Sequence, residues 1–436
     1  MTGKSSRAAT SWGWSLALVL ALHLLSTAGA WWITDHGEIL AVADRFLATG
    51  HLNLHTLGPG WEDWTRIVAA RDSTETRFQP LSILLLTPFL AIDRLLGWRD
   101  PHSFRFVHLE GHFFVSLGLV LVGRFIARLS GSAAVTSLSI LLLGLNWPVW
   151  MIARRLGPEP VLFALLALFA TGGTRSRFWS LILLPWVHAS GPLLGLGALL
   201  WQAVARGGGN DPPTRISALG LILGCSSLAL FWNVPVHGHI LMGGYAAFTS
   251  DRFFDIRNPL RGGMAALGPM VAWTLPLWFL AVKGGRRVMF ETLALWLPIV
   301  AFLSLSSNPE PERRLAPCLS AWVVVILARM RPLRPGAATA LGALALASGV
   351  VGLSGDFVDT VATPLGVFSG PILFLLHLAF GTGQPLLAGS IALALLSVAC
   401  IAGSRTLDLL ADVASSERPS HSSASRAVPS GEPGPI

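Results

Sequence analysis

The sequence predicts an all-α polytopic membrane protein, and three observations lead there. Of 436 residues, 53% are hydrophobic and only 12% charged, whereas a soluble domain carries about 25% charged residues. Apolar runs of about 17–25 residues, the length that crosses a bilayer as a helix, recur along the chain. The basic residues fall between these runs, as topology signals do. That scatter also argues against nucleic acid as the partner of a chain with net charge +8, because a nucleic-acid binder gathers its charge on one soluble face.

Run length and the positive-inside rule give about twelve spans. They are Trp12–Trp32, Phe106–Val122, Ala133–Trp150, Pro160–Gly172, Phe178–Ala189, Gly191–Ala205, Ile216–Trp232, Leu267–Val282, Val288–Leu305, Leu315–Leu327, Ala337–Leu353 and Leu386–Ala402. Lys4, Arg7 and the Ala28-x-Ala30 triplet imitate a cleaved signal. The apolar stretch continues to Trp32, so it reads as an uncleaved first helix. Pro80 to Gly97 is apolar too, yet if it crossed, every later loop would change sides. Laid on or dipped into the outer surface, it leaves Arg124, Arg128, Arg175, Arg177, Arg206, Arg215, Lys283, Arg286, Arg287, Arg329, Arg331, Arg334 and Arg405 inside. The 17 Trp against one Tyr, many of them near run ends, suggest an interfacial aromatic belt. Residues 1–403 thus form a transmembrane domain. Residues 404–436, rich in Ser, Pro and Gly from Ala414 onward, read as a disordered cytoplasmic tail.

Three outer stretches are long enough to hold chemistry: 33–79, 233–266 and 355–384. The first opens with Thr34-Asp35-His36-Gly37-Glu38. Two carboxylates three apart share one face of a helix, and a carboxylate can take a proton from an acceptor hydroxyl. A helix cap is the plainer role for such an Asp. No Walker loop or dinucleotide fingerprint occurs. Cys225, Cys318 and Cys400 are too widely spaced for a metal or disulfide pattern. His108 and His112 are four apart around Glu110, but the order is not His-Glu-x-x-His and no third ligand is evident. His51/His55 and His237/His239 are looser still, and His188 beside Gly191-Pro192 reads as structural. No metal or cofactor is expected.

From Asp35 the chain runs through Ala43, Gly50, Leu52 and Leu54 to Phe78-Gln79-Pro80-Leu81, Pro88-Phe89-Leu90 and Arg105. Later come Arg154-Arg155-x3-Glu159, then Asn233-x4-Gly238-x5-Gly244-Tyr245, then Glu312-Arg313-Arg314-x2-Pro317. In this order the segments resemble the GT-C glycosyltransferase superfamily, in particular protein O-mannosyltransferases and aminoarabinose transferases. The resemblance runs from Trp31 to about Pro317. It implies juxtamembrane helices in the first outer loop and a polyprenyl-phosphate-linked sugar as donor. It also implies an unknown glycan, lipid or protein as acceptor, and an active site on the outer face of a bacterial inner membrane, within the cell envelope. Asp35 matches the family's catalytic Asp. The family's second acid falls on His36, so Glu38, two positions on, is its displaced counterpart. The resemblance assigns Arg105, Arg154, Arg155, Glu159, Tyr245, Arg313 and Arg314 to substrate binding. Arginine suits the departing phosphate through its planar fork of donors, although interface arginines also anchor helix ends. Two other readings stay open: a transporter or flippase for a lipid-linked or small solute, and a binder of lipid-linked sugar that does not turn it over.

Overall fold

The computed structural model describes residues 3–26, 34–54, 57, 61, 76, 78–98, 104–207, 211–238, 240, 271, 274–304, 314–328 and 341–343. Within them the backbone is helical and contains no strand, as expected of segments whose amides have only each other to bond to in lipid. The helices in chain order are α1 (Gly3–Leu25), α2 (Thr34–Thr49), α3 (Pro80–Leu95), α4 (Leu109–Ser130, entered by a 3-10 turn Phe106–His108), α5 (Ala133–Gly144) and α6 (Trp147–Ala153). Then follow α7 (Pro158–Thr171), α8 (Thr174–Val187), α9 (Gly191–Arg206), α10 (Pro212–His237), α11 (Leu275–Lys283), α12 (Arg286–Ser304) and α13 (Cys318–Leu327).

Local sequence sets these boundaries. Pro80, Pro148, Pro158, Pro192 and Pro212 stand in first turns, where the missing N–H costs nothing. Ser132 caps α5 by accepting from the Val135 amide, and Gly131 and Gly207 close α4 and α9 with left-handed backbones. Among the described residues, Phe106–Ser130, Pro212–His237 and Arg286–Ser304 are each long and apolar enough to cross a bilayer, and α5 with α6 together have the length and apolarity of a broken span or a re-entrant loop. The protein is thus an all-α polytopic membrane protein; the expected spans at 337–353 and 386–402 fall mostly or wholly outside the described residues.

The run expected as one span over Ala133–Trp150 is two helices meeting at 70°. Asn146 and Pro148 explain the break: Pro148 cannot donate to the carbonyl four residues back, so α6 starts afresh. The apolar stripe on α10, with Ile216, Leu219, Ile222, Leu230 and Phe231 exposed, is suited to lipid contact. Some tryptophans lie in the core and not in the expected belt, while Trp14 and Trp179 are exposed. Trp150 and Trp322 are fully buried, and Trp278, Trp296 and Trp322 pack on one another with centroids 4.9–5.8 Å apart.

Helix order gives the bundle two chemically different ends. The starts of α4, α7 and α13 meet the α8–α9 turn at one end. At the other, Arg177 donates to the Phe169 carbonyl at 3.2 Å, Arg206 pairs with Asp211 at 2.9 Å, and Arg287 donates to the Ala205 carbonyl at 2.7 Å.

A second apolar cluster joins Ile39, Leu40 and Val42 of α2 to Phe78, to Ile83 and Leu86 of α3, and onward to Val107 and Leu156. Two carboxylates hold this cap in place. Asp44 binds the Arg94 guanidinium through both oxygens and accepts from the Trp61 indole at 2.9 Å. Fully buried Asp93 accepts from the amides of Arg105, Phe106 and Val107 at 2.8–2.9 Å, filling the positive N-terminal end of α4. At 16 residues, α3 reaches about 24 Å, short of a bilayer core of about 30 Å. Asp44→Ala removes the acceptor that Trp61 and Arg94 share. We expect it to cost about 1–3 kcal/mol, read as a lower melting temperature in detergent. Asp44→Ala combined with Arg94→Met should cost less than the sum of the two single changes.

Candidate functional site

The site is assembled from helix ends. Gly111 in the first turn of α4 lies so close to the α6–α7 turn that an added Cβ would meet the Arg155 carbonyl at 2.5 Å and that of Ala153 at 2.7 Å. This contact sets Glu110 against the turn, and its Oε2 lies 3.4 Å from the Gly157 amide, which donates to it. Gly157 has φ +136°, a conformation essentially reserved for glycine. Its position lies between two carboxylates, since a Cβ there would come within 3.1 Å of Glu159 Oε2. Glu110 and Glu159 are 1% and 4% exposed.

Glu159, in the first turn of α7, pairs with Arg314 Nη1 at 3.7 Å. The same Nη1 lies 2.9 Å from Nε2 of His188, the residue that closes α8. His188 Nδ1 in turn lies 2.8 Å from Ser190 Oγ. A carboxylate, a guanidinium, an imidazole and a hydroxyl thus form one chain across three helix ends. Three of its four members are buried, and Arg314 is the half-open one.

Glu38 is 1% exposed and accepts from Thr76 Oγ1 at 3.2 Å. Its helix neighbours Ile39 and Leu40 belong to the same apolar cluster as Leu156, next to Arg155. Asp35 is in the first turn of α2, one turn ahead of Glu38; its side chain lies outside the described residues, as do Tyr245 and Arg313. Arg154 and Arg155 are half-buried on the α6–α7 turn. Arg105 is exposed at the start of α4 and donates to the Phe104 carbonyl at 3.2 Å.

Sequence reasoning passed over Glu110 as a mere spacer between two histidines and assigned His188 to structure. The signal for both was position: each stands within three residues of a helix start, where buried polar side chains from separate helices converge. Deeper in the bundle, His23 Nε2 lies 2.7 Å from the Gly144 carbonyl and its ring is 6.4 Å from that of His112. Among the described residues no group of three or more His, Cys, Asp or Glu is placed to hold a metal ion.

The arrangement offers buried carboxylates for proton transfer and a guanidinium held between acceptors for an anion. Solved structures similar to this chain are those of ArnT from Cupriavidus metallidurans. The form bound to undecaprenyl phosphate is 13% identical, with a TM-score of 0.46, over 92% of this chain and 76% of that one. The apo form is 14% identical, with a TM-score of 0.48, over 91% and 78%. No protein-family model matches the chain, and no curated protein does. The roles of Glu38, Glu110, Glu159 and Arg314 therefore rest on their own geometry.

Gly157 gives a direct check on that geometry. Gly157→Ala should destabilise by about 1–3 kcal/mol through backbone strain and push Glu159 off its place. Gly131, with φ +61° and nothing within 4 Å, is the control: Gly131→Asn should leave the melting curve almost unchanged.

Proposed function

We propose that the protein is an inverting GT-C-type glycosyltransferase that uses a polyprenyl-phosphate-linked sugar on the non-cytoplasmic face of a bacterial inner membrane. The observation that carries this reading is the Arg314 guanidinium, held by Glu159 and His188 beside further buried carboxylates at one end of an apolar bundle. A ligand with a lipid tail and a phosphate head suits that border between lipid and polar cluster. A nucleotide sugar, confined to the cytoplasm, does not reach the side opposite the basic end.

In the proposed reaction the acceptor hydroxyl oxygen forms a bond to the anomeric carbon as the carbon–oxygen bond to phosphate breaks. Asp35 takes the hydroxyl proton. The bonding pair leaves with the polyprenyl phosphate, whose growing negative charge arginine stabilises. Arg314, with Arg154, Arg155 and Arg313, is assigned to that phosphate; Arg105 and Tyr245 are assigned to the rest of the substrate. Glu38, bonded to Thr76, steadies the α2 face that carries Asp35.

The transporter reading fares less well on one point. Transporters place their working ionisable groups near the bilayer midplane, whereas Glu110, Glu159, His188 and Arg314 all stand at helix ends.

Sidedness is tested by labelling single cysteines in a background without Cys225, Cys318 and Cys400. A cysteine at position 35, or at exposed His51, should react with an impermeant reagent in intact cells. One at position 131, at the far end of α4, should react only after permeabilisation. The reverse pattern puts the site on the wrong side for this donor.

Catalysis is tested in proteoliposomes supplied with lipid-linked sugar. Asp35→Asn keeps size and removes the base, so turnover should fall by about 100- to 10,000-fold with insertion and donor binding intact. Glu38→Gln should lose less. A residue that only caps α2 would give near-normal turnover and a stability loss of about 1 kcal/mol, which would dismiss Asp35 as the base.

A further inference from the structure

We infer that His188 is a positioning residue: as a neutral hydrogen-bond acceptor it aims Arg314 at a phosphate monoester without cancelling the arginine's charge. The inference rests on the reading of Arg314 as a phosphate ligand. An arginine N–H can only donate, so Nε2 of His188, 2.9 Å from Arg314 Nη1, accepts. The ring proton is then on Nδ1, where Ser190 Oγ at 2.8 Å takes it. The Ser190 amide, 3.1 Å from the same Nδ1, favours the opposite tautomer. The bond from the charged donor is the stronger of the two and decides the matter.

The geometry then divides the guanidinium. Among the described residues, both partners of Arg314, His188 and Glu159, sit on Nη1. That leaves the Nε and Nη2 edge, the fork that matches two phosphate oxygens, to face a ligand. The choice of imidazole matters. A second carboxylate in place of His188 would also hold Nη1, but it would add a negative charge beside Glu159 and repel a phosphate. A neutral acceptor fixes the same orientation and adds no charge. The fold holds His188 firmly enough to aim its partner. It is 3% exposed, ends α8 in an extended conformation, and its carbonyl accepts from the Gly191 amide at 2.8 Å.

The test measures binding of undecaprenyl phosphate, undecaprenol and inorganic phosphate to the purified full chain in detergent, alongside melting curves. Wild type should prefer undecaprenyl phosphate to the alcohol, with inorganic phosphate competing weakly for the same site. His188→Leu should weaken undecaprenyl phosphate by about tenfold or more, the size expected when a hydrogen bond to a charged group is lost. It should leave undecaprenol untouched. His188→Gln, a neutral acceptor, should restore most of the affinity. His188→Glu should melt no lower than His188→Gln, because it pairs with Arg314, and yet bind undecaprenyl phosphate worse. That split between stability and affinity is one a merely structural histidine does not produce. Equal affinities for Leu, Gln and Glu variants that fold overturn the inference while leaving the phosphate reading in place. A wild type that does not distinguish undecaprenyl phosphate from undecaprenol overturns the phosphate reading itself.

Discussion

The site depends on one backbone contact, Gly111 of α4 against the carbonyls of Ile152, Ala153 and Arg155. Lipid tails are as apolar as leucine, so helices in a membrane gain little from hiding apolar side chains from each other; they associate where small residues let backbones approach. At Gly111 the approach leaves no room for a methyl group. It fixes the height of α4 against the α6–α7 turn, and with it whether Glu110 reaches the Gly157 amide. Elsewhere in the bundle, Gly197 of α9 lies against the Leu295 carbonyl of α12 and Gly224 of α10 against that of Ile182 in α8. These contacts set where the α8–α9 turn stands, and so where His188 can meet Arg314.

Charge burial is the second constraint, and it acts after the first. A buried carboxylate persists only with partners, and the fold supplies them from distant parts of the chain. Asp93 takes three amides at the start of α4, Asp44 takes Arg94 and Trp61, and Glu159 takes Arg314. The first two hold α2 and α3 in place through several short bonds each. The third is longer at 3.7 Å and partly open, and among the described residues both partners of its arginine sit on Nη1.

The fold class was legible in the sequence because it follows from composition and run length, which no tertiary contact can reverse. The segment starting at Pro80 and the helix starting at Gly191 followed from apolar runs, whereas the spans expected from Trp12, Pro160 and Ile216 start earlier, at Gly3, Pro158 and Pro212, and the helix after Asp35 came from the family resemblance. The bend between α5 and α6 was written in Asn146-Trp147-Pro148, but an apolar run that continues through it hides the break. Tryptophan misled for a related reason: its ring suits an interface and a packed core equally well, and only the packing of α11, α12 and α13 shows that Trp278, Trp296 and Trp322 lie in the core. Of the site, Glu159 and Arg314 were legible as motif residues. That they touch was not, because the two stand in segments far apart along the chain and nothing local records the encounter.

His188 shows where that limit lies. In the sequence it is one histidine at the end of an apolar run, beside a glycine and a proline, and a structural role is the natural assignment. Its meaning changes only when Arg314 arrives, since the guanidinium dictates which ring nitrogen carries the proton. The same imidazole beside a carboxylate would be a donor, and beside a metal a ligand. Side-chain identity fixes what a residue is able to do, and the partner brought by the fold selects among those abilities. A polar residue closing a helix between apolar runs is therefore best left unassigned until the residues at neighbouring helix ends are known. In a bundle whose interior admits few charges, those ends are where buried polar groups of different helices meet.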